Sequence, residues 1–139
     1  MNPTDHMCPY LSYRDSAREV MDFYASVFGG EVSRSTFGEY GMGTTEEENA
    51  RIMHSQLVVD GKTLLMAADT PDSMEVAPST TTLSIFGGAA EGATLRTWWA
   101  ALTEGGTVAQ PLEPAPWGDS FGQVTDRYGT PWYFNIGTQ

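Results

Sequence analysis

Basic side chains are scarce in this sequence. Seven lysines and arginines stand against 18 aspartates and glutamates in 139 residues, a formal charge of −11. Such a surface repels a phosphate backbone, which excludes nucleic-acid binding driven by counter-ion release. Cysteine is nearly absent. Cys8 is the only one, so no intrachain disulfide can form and the multi-cysteine zinc patterns are excluded. Histidine occurs twice, as His6 and His54. No apolar run reaches the roughly 18 residues that a membrane-spanning helix needs, so no membrane partner is expected. The opening stretch MNPTDHMCPY has neither a basic n-region nor an apolar core. No signal peptide is read there, and a cytoplasmic location is the expectation. No Ser/His/Asp triad is legible, and Cys8 beside His6 is too weak a pairing to read as a nucleophile with its base.

What is present is a globular composition, 40% apolar and 18% charged, in a length that suits a single domain, residues 1–139. Within it one feature occurs twice. Ala17–Val32 reads AREVMDFYASVFGGEV and Ala93–Val108 reads ATLRTWWAALTEGGTV. In the first, Val20, Phe23, Tyr24 and Val27 have helical i, i+3, i+4, i+7 spacing. In the second, Leu95, Trp98, Trp99 and Leu102 repeat it. Each stripe ends in Gly-Gly, the natural stop for a helix, because glycine takes the left-handed conformation without a steric penalty. The segments that follow also repeat, which argues for a duplication.

Taken in order, Pro9–Tyr13 reads as a short strand. Asp15 or Ser16 is placed to cap the first helix, with Glu19 near the capping-box position. Glu31–Phe37 is a strand, and Gly38–Ala50, rich in glycine and acid, is expected to be a mobile loop. Its run Glu46–Glu48 is expected to be solvated. Arg51–Val59 and Lys62–Ala68 flank Asp60-Gly61, the strongest short hairpin signal. A Pro-containing linker, about 70–79, separates module one, about 8–69, from module two, about 80–137. Module two then reads as a strand over Thr80–Phe86, the second helix, and strands over Thr107–Leu112, Ser120–Thr125 and Thr130–Ile136. Glu113–Gly118 is a Pro-broken loop, and Tyr128-Gly129 a turn. Both halves are therefore βαβββ. The expected fold is α+β, two tandem βαβββ modules forming a curved, mostly antiparallel sheet around a cleft, with the helices outside.

That order resembles the vicinal oxygen chelate superfamily of glyoxalase I, bleomycin-resistance proteins and extradiol dioxygenases. More narrowly, PYLSY, DFYASVFGGEV, IMHSQLVVDGKTLLMAAD and the closing LTEGGTVAQPLEPAPWGDSFGQVTDRYGTPW with YFNIG resemble its PhnB-like branch. The similarity runs from about Pro9 to Gly137. Its most specific block contains Trp117, Gly118, Phe121, Gly122, Thr125, Asp126, Gly129 and Trp132. Parts of that branch are named demethylubiquinone methyltransferase, but this sequence has no Gly-rich strand-to-helix loop of the nucleotide-binding kind. The resemblance implies a homodimer.

In the superfamily's enzymes, first and last strands of each module supply His, Gln or Glu to a divalent metal. Carried over by position, those ligands fall at Pro9, at or near Ala67, at Thr81 or Thr82, and at Asn135. Proline and alanine cannot ligate, and threonine and asparagine are weak neutral donors. No metal and no cofactor are therefore expected. The candidate ligand-binding residues are His54 and Gln56 on one strand face, Asp69 at the end of the neighbouring strand, and Trp117, Phe121 and Asn135 in module two. Asp69 also reads as a cap for the turn into Thr70-Pro71, and Trp117, Phe121 and Trp132 also read as core. Trp98 and Trp99 read as core or a subunit contact. The leading expectation is a metal-independent protein that binds a small-molecule ligand, whose seven methionines would suit varied shapes. The alternative is a divalent-metal lyase, isomerase or dioxygenase with a relocated site drawn from His54, Gln56, Asp69 or a glutamate of 46–48. A third reading is a cleft closed over its own aromatic side chains.

Overall fold

The computed structural model describes residues 6–76 and 81–139. They fall into two compact units. The first contains β1 (Tyr10–Tyr13), α1 (Ala17–Phe28), β2 (Glu31–Thr36), α2 (Glu46–Ala50), β3 (Ile52–Val59) and β4 (Lys62–Asp69). The second contains β5 (Leu83–Gly87), α3 (Gly92–Thr103), β6 (Thr107–Pro114), β7 (Ser120–Thr125) and β8 (Pro131–Ile136). Each unit has one four-stranded sheet, in the orders β1-β4-β3-β2 and β5-β8-β7-β6. In both, the first strand runs parallel to the last and the remaining pairs are antiparallel. The α+β class with two βαβββ modules is thus the observed one. Thr80, read as the first residue of a strand, and residues 77–79 of the linker lie outside the described residues.

The helical stripes become the cores. α1 buries Val20, Met21, Tyr24, Val27 and Phe28, which contributes on the order of 10 kcal/mol before the entropy of ordering is subtracted. α3 buries Leu95 and Leu102 and sets Trp99 edge-on to Phe134, with ring centroids 5.2 Å apart. Gly122 on β7 lies beneath that indole, so any Cβ there would collide with it. Trp99 is therefore a packing residue, and Trp98 is half-buried beside it.

The doubled glycines meet two demands, a positive φ and a close approach, and Gly30, at φ +88°, meets both. Gly29 and Gly105, at φ +80° and +76°, turn the chain out of the helix through left-handed backbone. The second glycine of each pair passes under a strand. A Cβ on Gly30 would overlap the carbonyl oxygen of Val58, and one on Gly106 would overlap that of Thr125. The hairpin at Asp60-Gly61 has both residues at positive φ, +51° and +78°, which matches the right-handed twist of β3 and β4.

Three expectations are corrected. Ser16 occupies the N-cap of α1, but its side chain makes no cap hydrogen bond. The segment 38–50 is folded, not a mobile loop: Gly38–Tyr40 form a 3-10 turn and Glu46–Ala50 form α2, capped by Thr45 through its Oγ1 and the Glu48 amide at 3.1 Å. Within it Glu48 is buried, not solvated. Finally β6 runs on to Pro114, two residues past the expected end, because register shifts between Val108 and Gln110 and between Gln110 and Glu113 accommodate Pro111 on an edge strand.

Candidate functional site

In sheet one the register separates two faces. Leu11, Leu57, Leu65 and Ala67 are buried on the α1 side. By strand alternation Tyr10, Ser12, His54, Gln56 and Met66 share the opposite face. There the Tyr10 hydroxyl lies 3.1 Å from His54 Nδ1, and His54 Nε2 lies 3.4 Å from Gln56 Oε1. Burial pushes the Tyr10 phenol above its usual value, since a phenolate there would lose solvation. His54 and Gln56 are thus brought together, with Tyr10 as a third member. The Tyr10–His54 contact crosses β4 and is not readable from sequence spacing.

Asp69 is elsewhere. It is buried on the α1 side, where Oδ1 accepts the Ala17 amide and Oδ2 the Ile52 amide, both at 2.8 Å. It caps the first helix and the start of β3, not the Thr70-Pro71 turn. It also borders a cavity of about 290 Å³ with Asp15, Arg18, Glu47 and Arg51. Glu48 serves a comparable purpose. Its carboxylate accepts the Thr44 amide, the Thr44 hydroxyl and the Asp72 amide at 2.9, 2.9 and 2.8 Å. Those amides and that hydroxyl hold its carboxyl below the usual range, with Arg51 adding a smaller effect. His54 and Asp69 therefore face opposite sides of one sheet, and the relocated donor set is not assembled.

In unit two the helix side of the sheet buries Trp132, Phe134 and Ile136. The other side carries Phe86, Phe121, Tyr133 and Asn135. Trp117 reaches this face from the β6–β7 loop, and its indole N–H donates to Asn135 Oδ1 at 3.2 Å. Asn135 Nδ2 in turn donates to Asp119 Oδ2 at 3.0 Å. Phe121 stands edge-on to both Trp117 and Tyr133, at 5.5 and 5.6 Å. Trp117, Phe121 and Asn135 are thus assembled into one cluster. A groove of about 390 Å³ runs beside it, lined by Gln110, Glu113, Trp117, Phe121 and Gln123. Trp132 does not join the cluster. It is buried, and its indole N–H donates to Asp126 Oδ2 at 2.9 Å. Asp126 Oδ1 accepts the amides of Tyr128 and Thr130, so this carboxylate organises the β7–β8 turn. Asp126 lies in the block most specific to the PhnB-like resemblance, and its role there comes from these three hydrogen bonds.

The positions that correspond to a superfamily metal site can now be read by register. Ala67 is completely buried against α1, and Pro9 precedes β1 on the Leu11 side. On the open face the register sets Ser12 opposite Ala68 in sheet one and Phe86 opposite Asn135 in sheet two, while Thr81 and Thr82 precede β5. Neither the hydroxyl and methyl in unit one nor the phenyl ring and carboxamide in unit two fit a divalent transition metal. Among the described residues no three His, Cys, Asp or Glu side chains converge as a metal would require.

Known proteins share this architecture. A crystal structure of protein PA1353 from Pseudomonas aeruginosa matches with 30% identity and a TM-score of 0.80, over 96% of this chain and 98% of that one. The PhnB protein from Bacillus cereus matches at 23% identity and a TM-score of 0.69, over 94% and 98%. A glyoxalase/bleomycin resistance protein/dioxygenase family enzyme from Burkholderia phytofirmans shares the fold at 14% identity and a TM-score of 0.56, over 93% and 95%. A family model described as 3-demethylubiquinone-9 3-methyltransferase matches residues 5–134. With nearly the whole chain inside that match, the protein belongs to this PhnB-like family and carries the glyoxalase/bleomycin-resistance/dioxygenase fold.

Proposed function

We propose that the protein binds a small molecule and does so without a metal. One observation carries the reading. The Asn135 amide lies among aromatic side chains of which three are well exposed: Phe86 at 77%, Trp117 at 60% and Tyr133 at 40%. Exposed rings around a few fixed polar atoms supply apolar contact area together with orientation, which is the composition of a ligand site. His54 and Gln56 supply a second set of polar atoms on sheet one. Asp69, with both oxygens engaged by backbone amides, is left out of the binding set. The charge of −11 biases the surface toward cationic ligands at long range. A homodimer, a cytoplasmic location and a single domain of two modules belong to the same proposal.

Methyl transfer, the activity in the family's name, has no support in the chain. The glycines of the β5–α3 connection do not open an anion cradle. The Gly88 amide donates to Glu91 Oε2 at 3.0 Å and the Ala89 amide to the Gln139 carbonyl at 3.1 Å. Neither amide is therefore free to hold an anion.

The test combines metal analysis of untagged protein with a tryptophan-fluorescence titration against a panel of planar organic cations and neutral aromatics. Saturable quenching, lost in Trp117→Phe and weakened in Asn135→Ala, supports the proposal. Stoichiometric zinc, nickel, manganese or iron that disappears in His54→Ala would sink the metal-free reading and bring forward a metal-dependent lyase, isomerase or dioxygenase.

A further inference from the structure

The face of sheet one holds an arrangement that ligand binding alone does not require. Tyr10 pairs with Met66, and Met66 pairs with Gln56, so Tyr10 and Gln56 flank β4 in one row. Their strands are two spacings apart, roughly 10 Å. A phenol is long enough to cross β4 above Met66, and it arrives at the residue next along that face of β3, His54. In the tautomer with hydrogen on Nε2, His54 donates to Gln56 Oε1 across the 3.4 Å contact. In that tautomer Nδ1 presents its lone pair to the Tyr10 hydroxyl, 3.1 Å away. The order is hydroxyl, imidazole, orienting carbonyl. It is the nucleophile, base and orienting group of a hydrolytic triad, with a phenol as the first member and an amide as the last.

We propose that Tyr10, His54 and Gln56 form a proton relay that makes the Tyr10 hydroxyl a reactive nucleophile. Its ligand class is an acyl or sulfonyl electrophile that carries a leaving group. Tyr10 Oη attacks the electrophilic carbon or sulfur, and an O–C or O–S bond forms. The phenolic proton passes to His54 Nδ1. The bond to the leaving group breaks with its electron pair on the leaving group. The imidazolium keeps its Nε2 hydrogen on Gln56, which holds the ring in the accepting orientation throughout. The relay is needed because burial raises the Tyr10 phenol, so the proton is not shed to solvent in advance. Tyr10 is nevertheless 51% exposed, which leaves its oxygen open to an incoming group.

Modification by a small aryl sulfonyl fluoride tests this. The adduct is stable, fluoride is the leaving group, and peptide mass spectrometry reads each tyrosine separately. Tyr40, 63% exposed, is the internal control. The expected result is modification of Tyr10 at least about a hundredfold faster than Tyr40, the lower end of what a positioned base contributes. His54→Gln should lower the Tyr10 rate by about the same factor and leave the Tyr40 rate unchanged. His54→Phe, which preserves a planar ring, should do the same. Rates that follow exposure, with Tyr40 ahead of Tyr10 in the unmodified protein, would overturn the proposal. So would a Tyr10 rate that survives either replacement. The comparison within the unmodified chain decides the matter even if one variant folds poorly.

Discussion

Replacing Asp69 separates a structural carboxylate from a ligand contact. Asp69 is 5% exposed, and each of its oxygens accepts one backbone amide at 2.8 Å, from Ala17 and from Ile52. Ala17 opens α1 and Ile52 opens β3, so one side chain terminates two elements. A hydrogen bond to a charged group contributes about 1.5–3 kcal/mol, and a buried donor left without a partner costs about 1–3 kcal/mol. Asp69→Ala removes both acceptors and strands both amides, a loss of about 3–5 kcal/mol after allowance for overlap between the two effects. Asp69→Asn preserves the shape and one acceptor, but sets its NH2 against the second amide. About 2–3 kcal/mol should be lost. Urea unfolding followed by far-UV circular dichroism measures this. With m of about 1–3 kcal/mol/M, the midpoint of Asp69→Asn should fall by about 0.7 M or more. An Asp69→Asn midpoint equal to that of the unmodified protein, accompanied by weakened ligand binding, would refute the structural role and return Asp69 to the ligand site.

Asp126→Ala should cost about 3 kcal/mol, because three donors lose their acceptor: the amides of Tyr128 and Thr130 and the indole of Trp132. Near-UV circular dichroism should change with the unfolding midpoint, since Trp132 loses its fixed partner. The glycine pairs should divide by position. Gly29→Ala and Gly105→Ala meet mainly the positive-φ backbone penalty of about 1–3 kcal/mol. Gly30→Ala and Gly106→Ala place a methyl against a strand carbonyl and should be clearly worse; equal thermal shifts for both members of a pair would contradict the geometry. Glu48 gives a pH signature. Its folded carboxyl is held below its ordinary value of 4.5, so its contribution is fully present above that value and is lost as pH falls through the lower folded value. The stability gap between the unmodified protein and Glu48→Gln should therefore be constant above pH 4.5 and close on further acidification, as read by urea midpoints across the acid range.

Much of the scaffold was legible because its signals are local. The stripes at Val20–Val27 and Leu95–Leu102 state their helices by periodicity, and Asp60-Gly61 states its hairpin by turn chemistry. The candidate site was legible only in part. His54 and Gln56 share a strand face by simple alternation, and Asn135 was found through the repeated frame. Tyr10 was missed as the partner of His54 because the two stand 44 residues apart and meet across an intervening strand. The folding of 38–50 was missed for a related reason. Thr45 and Glu48 have capping-box spacing, but the Glu48 carboxylate also reaches Asp72, 24 residues on.

The amino-acid sequence by itself determined the two βαβββ modules, the helix stops and the turns, since these follow from interactions within a few residues. Tertiary structure decided which carboxylates are structural and which side chains can act together. Asp69 is the clearest case. Local reading makes it a turn cap or a ligand contact. Its two hydrogen-bond partners lie 52 and 17 residues away, and only folding brings their amides to its oxygens.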